Sequence, residues 1–104
     1  MDIRIQRVIA HMQEKPGREL CLADLARVAC LSPSRLRHKF KAEVGVTPSV
    51  YLQTLRLKMA RELLITNELT VKEVRAAIGI RSDSYFTHRF KRNFGIPPSR
   101  SRIY

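Results

Sequence analysis

Apolar residues recur along this chain at intervals of three and four, and no stretch alternates apolar and polar positions long enough to predict a strand. The pattern predicts an all-α chain. Ile5, Val8, Ile9 and Met12 share one face of a first helix over about residues 2–14, with Asp2 placed to cap it and Pro16-Gly17 to stop it. Leu22, Leu25, Ala26 and Ala29 mark a short second helix. After a break at Cys30-Leu31, Ser32-Pro33 supplies an N-cap and a proline at the first helical position. The third helix then runs to about Glu43, buries Leu36 and Phe40, and ends at Gly45.

Thr47-Pro48 repeats the start signal, and Tyr51, Leu52, Leu55, Met59, Leu63 and Leu64 carry an apolar stripe along the longest helix, about 18 residues, with Asn67 as its C-terminal cap. Thr70 and Glu73 form a capping box for a fifth helix that buries Val74, Ala77 and Ile78 and ends at Gly79. Ser82 or Asp83 caps a sixth, which contains Phe86 and Phe90 and closes at Gly95. Pro97-Pro98 begins a short terminal turn. Phe40, Phe86, Phe90 and Phe94 fall at buried spacing and are read as core.

The chain also repeats itself. At a shift of 50 residues, Ser32, Ser34, His38, Phe40, Lys41, Gly45, Pro48 and Ser49 meet Ser82, Ser84, His88, Phe90, Lys91, Gly95, Pro98 and Ser99, eight identities in eighteen positions. Upstream the register slips to 49, so that Asp24 meets Glu73 and Leu25 meets Val74. The expected architecture is therefore two helix-turn-helix subdomains, residues 1–46 and 68–104, joined by a connecting helix over 47–67. Each pairs a short apolar helix with a second, basic helix, the arrangement that places the second helix in a DNA major groove. Two plain helical hairpins packing a core would show the same periodicity.

Charge narrows the choice. The 104 residues hold 20 Lys plus Arg against 9 Asp plus Glu, a net charge of +11 that favours a polyanionic partner. Acids are nearly missing from the second helix of each pair, where only Glu43 and Asp83 occur, whereas a merely solvated helix mixes both signs. A connecting helix of 18 residues is about 27 Å long. It would set two reading helices, about 33–43 and 83–93, roughly one DNA turn apart, so that one monomer enters successive major grooves.

Arg37 is placed to donate a bidentate pair to guanine, and His38 and His88 occupy equivalent positions facing a groove. Lys39, Lys41, Arg89 and Lys91 read as phosphate contacts. The Pro48-Ser49 and Pro98-Ser99 starts offer free N–H groups to phosphates as well as plain caps. Arg56 is expected in an internal salt bridge with Glu62 or Asp24. Cys21 and Cys30 lie in apolar surroundings at a spacing no zinc motif uses, and are expected as buried or half-buried thiols in a reducing cytosol, with a redox switch or a disulfide as the alternative. No apolar run approaches the roughly 18 residues of a membrane span, and the first helix is amphipathic rather than a continuous apolar leader. A cytoplasmic, nucleoid-associated protein with no membrane partner is expected. The sequence offers no nucleophile–base pairing, metal constellation or glycine-rich phosphate loop, so neither enzyme activity, nor a catalytic or metal site, nor a cofactor is expected.

The segments LADLARVACLSPSRLRHKFKAEVGVTPSVYL, LRLKMARELL and YFTHRFKRNFGIPPSRSR resemble the DNA-binding domain of the AraC/XylS family of bacterial transcription regulators, over roughly residues 7–102. The resemblance implies a seven-helix, two-subdomain fold, double-stranded DNA as partner, and gene regulation, often activation through RNA polymerase. It also implies base contacts from the exposed positions of each second helix: Ser34, Arg37 and His38 in the first, Asp83, Ser84, Thr87 and His88 in the second. Phosphate contacts would come from Arg35, Lys39, Lys41, Ser49, Arg89, Lys91 and Ser99. The isolated domain is expected to be monomeric, either as a stand-alone regulator or as part of a longer one. Five residues depart from the family pattern. Cys30 stands where the first turn usually has Gly, Arg75 replaces a small residue, and Ile80 replaces a Phe. Asp83 puts an acid on a groove-facing position, where it caps its helix or accepts from cytosine but also repels phosphates. Ser101 replaces an aromatic. Charge alone equally fits a nonspecific RNA or chromatin binder, and the fold alone a protein-interaction module.

Overall fold

The computed structural model describes residues 1–14, 20–66 and 68–103, with side chains as far as Ser101. These residues form α1 (Ile3–Glu14), α2 (Leu22–Ala29), α3 (Pro33–Val44), α4 (Pro48–Thr66), α5 (Val71–Ala77), α6 (Asp83–Phe94) and a terminal 3₁₀ helix (Pro98–Ile103). The seventh helical element is thus the tighter 3₁₀ form. The expected stop at Pro16-Gly17 and cap at Asn67 lie outside the described residues.

Helix starts follow from local chemistry. The Asp2 carboxylate accepts from the Arg4 backbone N–H at 2.8 Å, Ser32 Oγ from Arg35 at 3.2 Å, and Thr47 Oγ1 from Val50 at 3.3 Å. Of the two candidates for α6, Ser82 is the cap, accepting from Tyr85 at 3.2 Å, and Asp83 is the first helical residue. At α5 the box closes both ways: Thr70 Oγ1 accepts from the Glu73 N–H and Glu73 Oε1 from the Thr70 N–H, each at 3.1 Å. Its counterpart at α2 is looser, with Asp24 Oδ2 accepting from the Cys21 N–H at 3.2 Å and from its thiol at 3.1 Å.

The chain divides into two compact units, Met1–Thr54 and Leu55–Tyr104, with the boundary inside α4. In the first, α1 packs on α2 and α3; Ile5, Val8, Met12, Leu25, Ala26, Ala29, Leu36, Phe40 and Leu52 are buried. Phe40 meets Tyr51 edge-on with ring centres 5.6 Å apart. The core of the second joins Leu57, Ala60 and Leu64 of α4 to Val74, Ile78, Ile80, Phe86 and Phe90. Phe86, Phe90 and Phe94 form an edge-on series with centre distances of 5.7 and 4.6 Å.

Four expectations about burial need correction. Along α4 the buried positions are Pro48, Leu52, Arg56, Leu57, Ala60 and Leu64, whereas Tyr51, Leu55, Met59 and Leu63 are half-buried. Different stretches of α4 serve different cores, so a single stripe does not describe it. Ala77 is exposed, because the short α5 turns only Val74 fully inward and the next buried residue, Ile78, is already its C-cap. Phe94 is half-buried, with the Arg61 guanidinium over its ring at 5.0 Å. Both cysteines are exposed, because Cys21 is a cap and Cys30 a turn residue.

Candidate nucleic-acid interface

Each second helix is presented by a turn with the same hydrogen bonds. After α2, Cys30 N–H donates to the Arg27 carbonyl at 3.2 Å and Leu31 N–H to that of Ala26 at 3.0 Å. After α5, Gly79 N–H donates to Ala76 at 3.2 Å and Ile80 N–H to Arg75 at 3.3 Å. Every partner matches at the 49-residue shift. This turn needs a left-handed residue. Gly79 supplies it at φ +79, and Cys30 adopts the same region at φ +55, ψ +39 despite its side chain. The loss of glycine in the first motif therefore leaves the turn type intact.

The burial of residues 32–49 matches that of 82–99 at every position except Val46, exposed, and Ile96, half-buried. In α3, Leu36 and Phe40 point inward; in α6, Phe86 and Phe90 do. Ser34, Arg37 and His38 are all exposed, as are Asp83, Ser84, Thr87 and His88. Arg35, Lys41, Ser49, Lys91 and Ser99 are exposed as well. Two expected phosphate contacts sit lower, since Lys39 and its equivalent Arg89 are half-buried. Lys39 Nζ lies 3.3 Å from the Asp2 carboxylate, which also pairs with Arg4 at 2.9 Å. The Asp2 N–H in turn donates to Glu43 at 3.0 Å, so the start of α1 is clasped to α3 by both its backbone and its side chain. The Arg4 side chain and backbone N–H, with Lys39 adding to them, hold the Asp2 carboxyl well below the usual carboxylate range. Asp2 in turn raises the Arg4 guanidinium.

This clasp brings Arg4 to the edge of the basic face of α3. Arg4, Arg35, His38 and Lys39, with Leu31 and Ala42, line an open depression of about 440 Å³. Sequence reading missed Arg4, because an arginine on the first helix carries no local sign that it will meet the third. It also missed Tyr85, 43% exposed in the first turn of α6 and equivalent to Arg35. Ser101, where the family pattern has an aromatic, is buried, and so is Arg56 of α4. Among the described residues no group of three His, Cys, Asp or Glu side chains is placed to hold a metal, and no helix is long and apolar enough to cross a membrane.

Comparison with known proteins agrees with this geometry. The family model described as "Helix-turn-helix domain" matches residues 25–102. The transcriptional activator NphR of a Rhodococcus species is 36% identical over 95 residues, covering 91% of this chain and 28% of NphR. The arabinose operon regulatory protein of Escherichia coli K12 is 29% identical over 103 residues, covering 98% of this chain and 35% of that protein. The chain thus spans about a third of the length of the curated relatives it matches. Among solved structures, an AraC-type DNA-binding regulator from Chromobacterium violaceum superposes with a TM-score of 0.90 at 27% identity, over 97% of this chain and 90% of that one. The DNA-binding domain of AdpA, a global transcriptional factor crystallised with a target DNA, gives 0.89 at 28% identity, over 96% and 90% of the two chains. With three quarters of its residues inside the family model and two matching turns presenting two basic helices, the chain belongs to the AraC/XylS family of helix-turn-helix proteins.

Proposed function

We propose that this chain is a sequence-specific, double-stranded DNA-binding domain that serves transcription regulation, and that it acts without catalysis. One observation carries the reading: α3 and α6, both rich in basic residues, turn equivalent positions outward, each behind the same hydrogen-bonded turn, with Leu36 and Phe40, and Phe86 and Phe90, inside. The crystallised AdpA complex supports DNA as the ligand. In this reading α3 and α6 enter successive major grooves of one duplex. Ser34, Arg37 and His38, then Asp83, Ser84, Thr87 and His88, face base edges, while Arg35, Lys41, Ser49, Lys91 and Ser99 meet phosphates, with Lys39 and Arg89 at the margin. The domain binds as a monomer in the cytoplasm at the nucleoid, and RNA polymerase is its partner at a promoter.

Selection of bound duplexes from a random pool, at fixed salt, tests this. The expected outcome is a site preferred over random duplex by roughly 10³ or more, with two protected segments about one helical turn, ~34 Å, apart. Equal binding to all sequences, or stronger binding to RNA, overturns it.

A further inference from the structure

The turn before α6 is one residue longer than the turn before α3. Cys30-Leu31 lead directly to the cap Ser32, whereas Arg81 intervenes between Gly79-Ile80 and the cap Ser82. An added residue brings one more carbonyl, which either water or a side chain can satisfy. Here the side chain is that of Arg75: its Nη1 donates to the Ile80 carbonyl at 3.2 Å and to that of Arg81. The Arg75 side chain is only 18% exposed, against 76% for Asp83, whose Oδ1 lies 3.8 Å from Arg75 Nε. That Nε is buried and makes no hydrogen bond among the described residues, so the donor nearest Asp83 is the one left unused. At the equivalent positions the first motif has Ala26, buried, and Pro33. Neither the arginine nor the acid occurs there.

Asp83 is the first helical residue of α6 and the one acid of a helix that also carries Arg89, Lys91 and Arg92. An uncompensated carboxylate there repels the phosphates at the groove edge. In the major groove only the amino groups of cytosine and adenine can donate to a carboxylate, and adenine sets its amino group beside the N7 acceptor, which repels a second acceptor, so cytosine is the base that suits it. The geometry points to Arg75 as a positioning residue for specificity: it clamps the lengthened turn and fixes a positive charge beside Asp83, so that Asp83 selects cytosine at one base pair instead of driving the duplex away. This inference rests on the DNA-reading function proposed above.

The test uses the full chain, a duplex recovered by selection, and all four base pairs at each position of the half-site under α6. The wild-type chain is expected to prefer cytosine at one position by about tenfold or more. Asp83→Asn erases that preference while binding the other three versions at least as well. Arg75→Met keeps a buried stem but removes the charge and the clamp; it erases the same preference and weakens all four versions. Adding Asp83→Asn to Arg75→Met restores part of the lost affinity, because the uncompensated acid is gone. Should thermal unfolding show that Arg75→Met is not folded, Arg75→Lys decides: with the charge kept, the cytosine preference persists at lower overall affinity, and its complete loss overturns the charge role. Arg75→Met weakening all four versions equally with the preference intact, or adding independently to Asp83→Asn, also overturns the inference. If no duplex is preferred at all, the DNA-reading function itself fails. If a site is preferred but no cytosine preference depends on Asp83, only the role of Arg75 and Asp83 fails.

Discussion

Residues 32–49 and 82–99 bury nearly the same positions, yet the two motifs hold their second helices by different means. In the first, the start of α1 grips α3 through ions: Asp2 takes Lys39 and Arg4, and Glu43 takes the Asp2 N–H. In the second, Phe86 and Phe90 anchor α6 in a core with Leu57, Ala60 and Leu64 of α4, and Arg75 braces the longer turn. The comparison teaches that the pattern of inside and outside is what the two copies share. The braces are local solutions, and each one spends different basic residues. Lys39 is consumed by the clasp in one copy and Arg75 by the turn in the other, so counting positive charges overstates what is left for a polyanion.

The sharpest way to break the comparison is to empty the shared core position. Phe40→Ala and Phe90→Ala should each cost about 3–5 kcal/mol. Phe90, with two ring neighbours, should lose at least as much as Phe40, which has Tyr51. Denaturant unfolding followed by circular dichroism reads this directly, and a loss under about 1 kcal/mol at either site would show that the copies are not equivalent. Next in size, Arg37→Ala should cost about 1–3 kcal/mol at one base position and relax the preference there, while its counterpart Thr87→Ala costs less. Equal losses on every duplex would make Arg37 a phosphate contact.

The turns offer a smaller, reciprocal pair. Cys30→Gly should raise thermal stability by about 1 kcal/mol, and Gly79→Cys should lower it by about as much, because both sites require the left-handed backbone. Opposite signs would mean that the Cys30 side chain repays its strain elsewhere. Smaller still, Lys41→Ala should flatten the logarithmic salt dependence of binding by about one unit. Lys39→Ala should change it less, since Asp2 already holds that ammonium; equal slopes would remove the distinction between them.

The least change is expected from Asp2→Asn, read across pH. The folded chain holds this carboxyl below its ordinary pKa, so its contribution is fully present above the usual carboxylate value of about 3.9 and fades as pH falls through and below it. Wild type and variant should therefore differ in unfolding midpoint at neutral pH and converge in acid. A gap that is constant with pH would assign the effect to the helix cap alone.

Elements and caps were legible because their causes lie within four residues. Ser32-Pro33, Thr70 with Glu73, and the glycines at 45, 79 and 95 act on the backbone beside them, and the 50-residue repeat made the second copy readable from the first. The outward face of each second helix was legible too, since Leu36 with Phe40 and Phe86 with Phe90 define its inside by helical spacing. The errors cluster where burial depends on what lies opposite. Ala77 and both cysteines are exposed although their neighbours are apolar, and Phe94 is only half covered.

By itself, then, the sequence determined the helices, their ends, the duplication and the sidedness of the two basic helices, because short-range sterics and hydrogen bonds set all of these. Only the tertiary structure decided that Lys39 faces Asp2, that Arg4 reaches α3, and that Arg75 spans the turn to approach Asp83. Those pairings join residues on different elements, and the meeting of two elements is a property of the packed core that no residue spacing encodes.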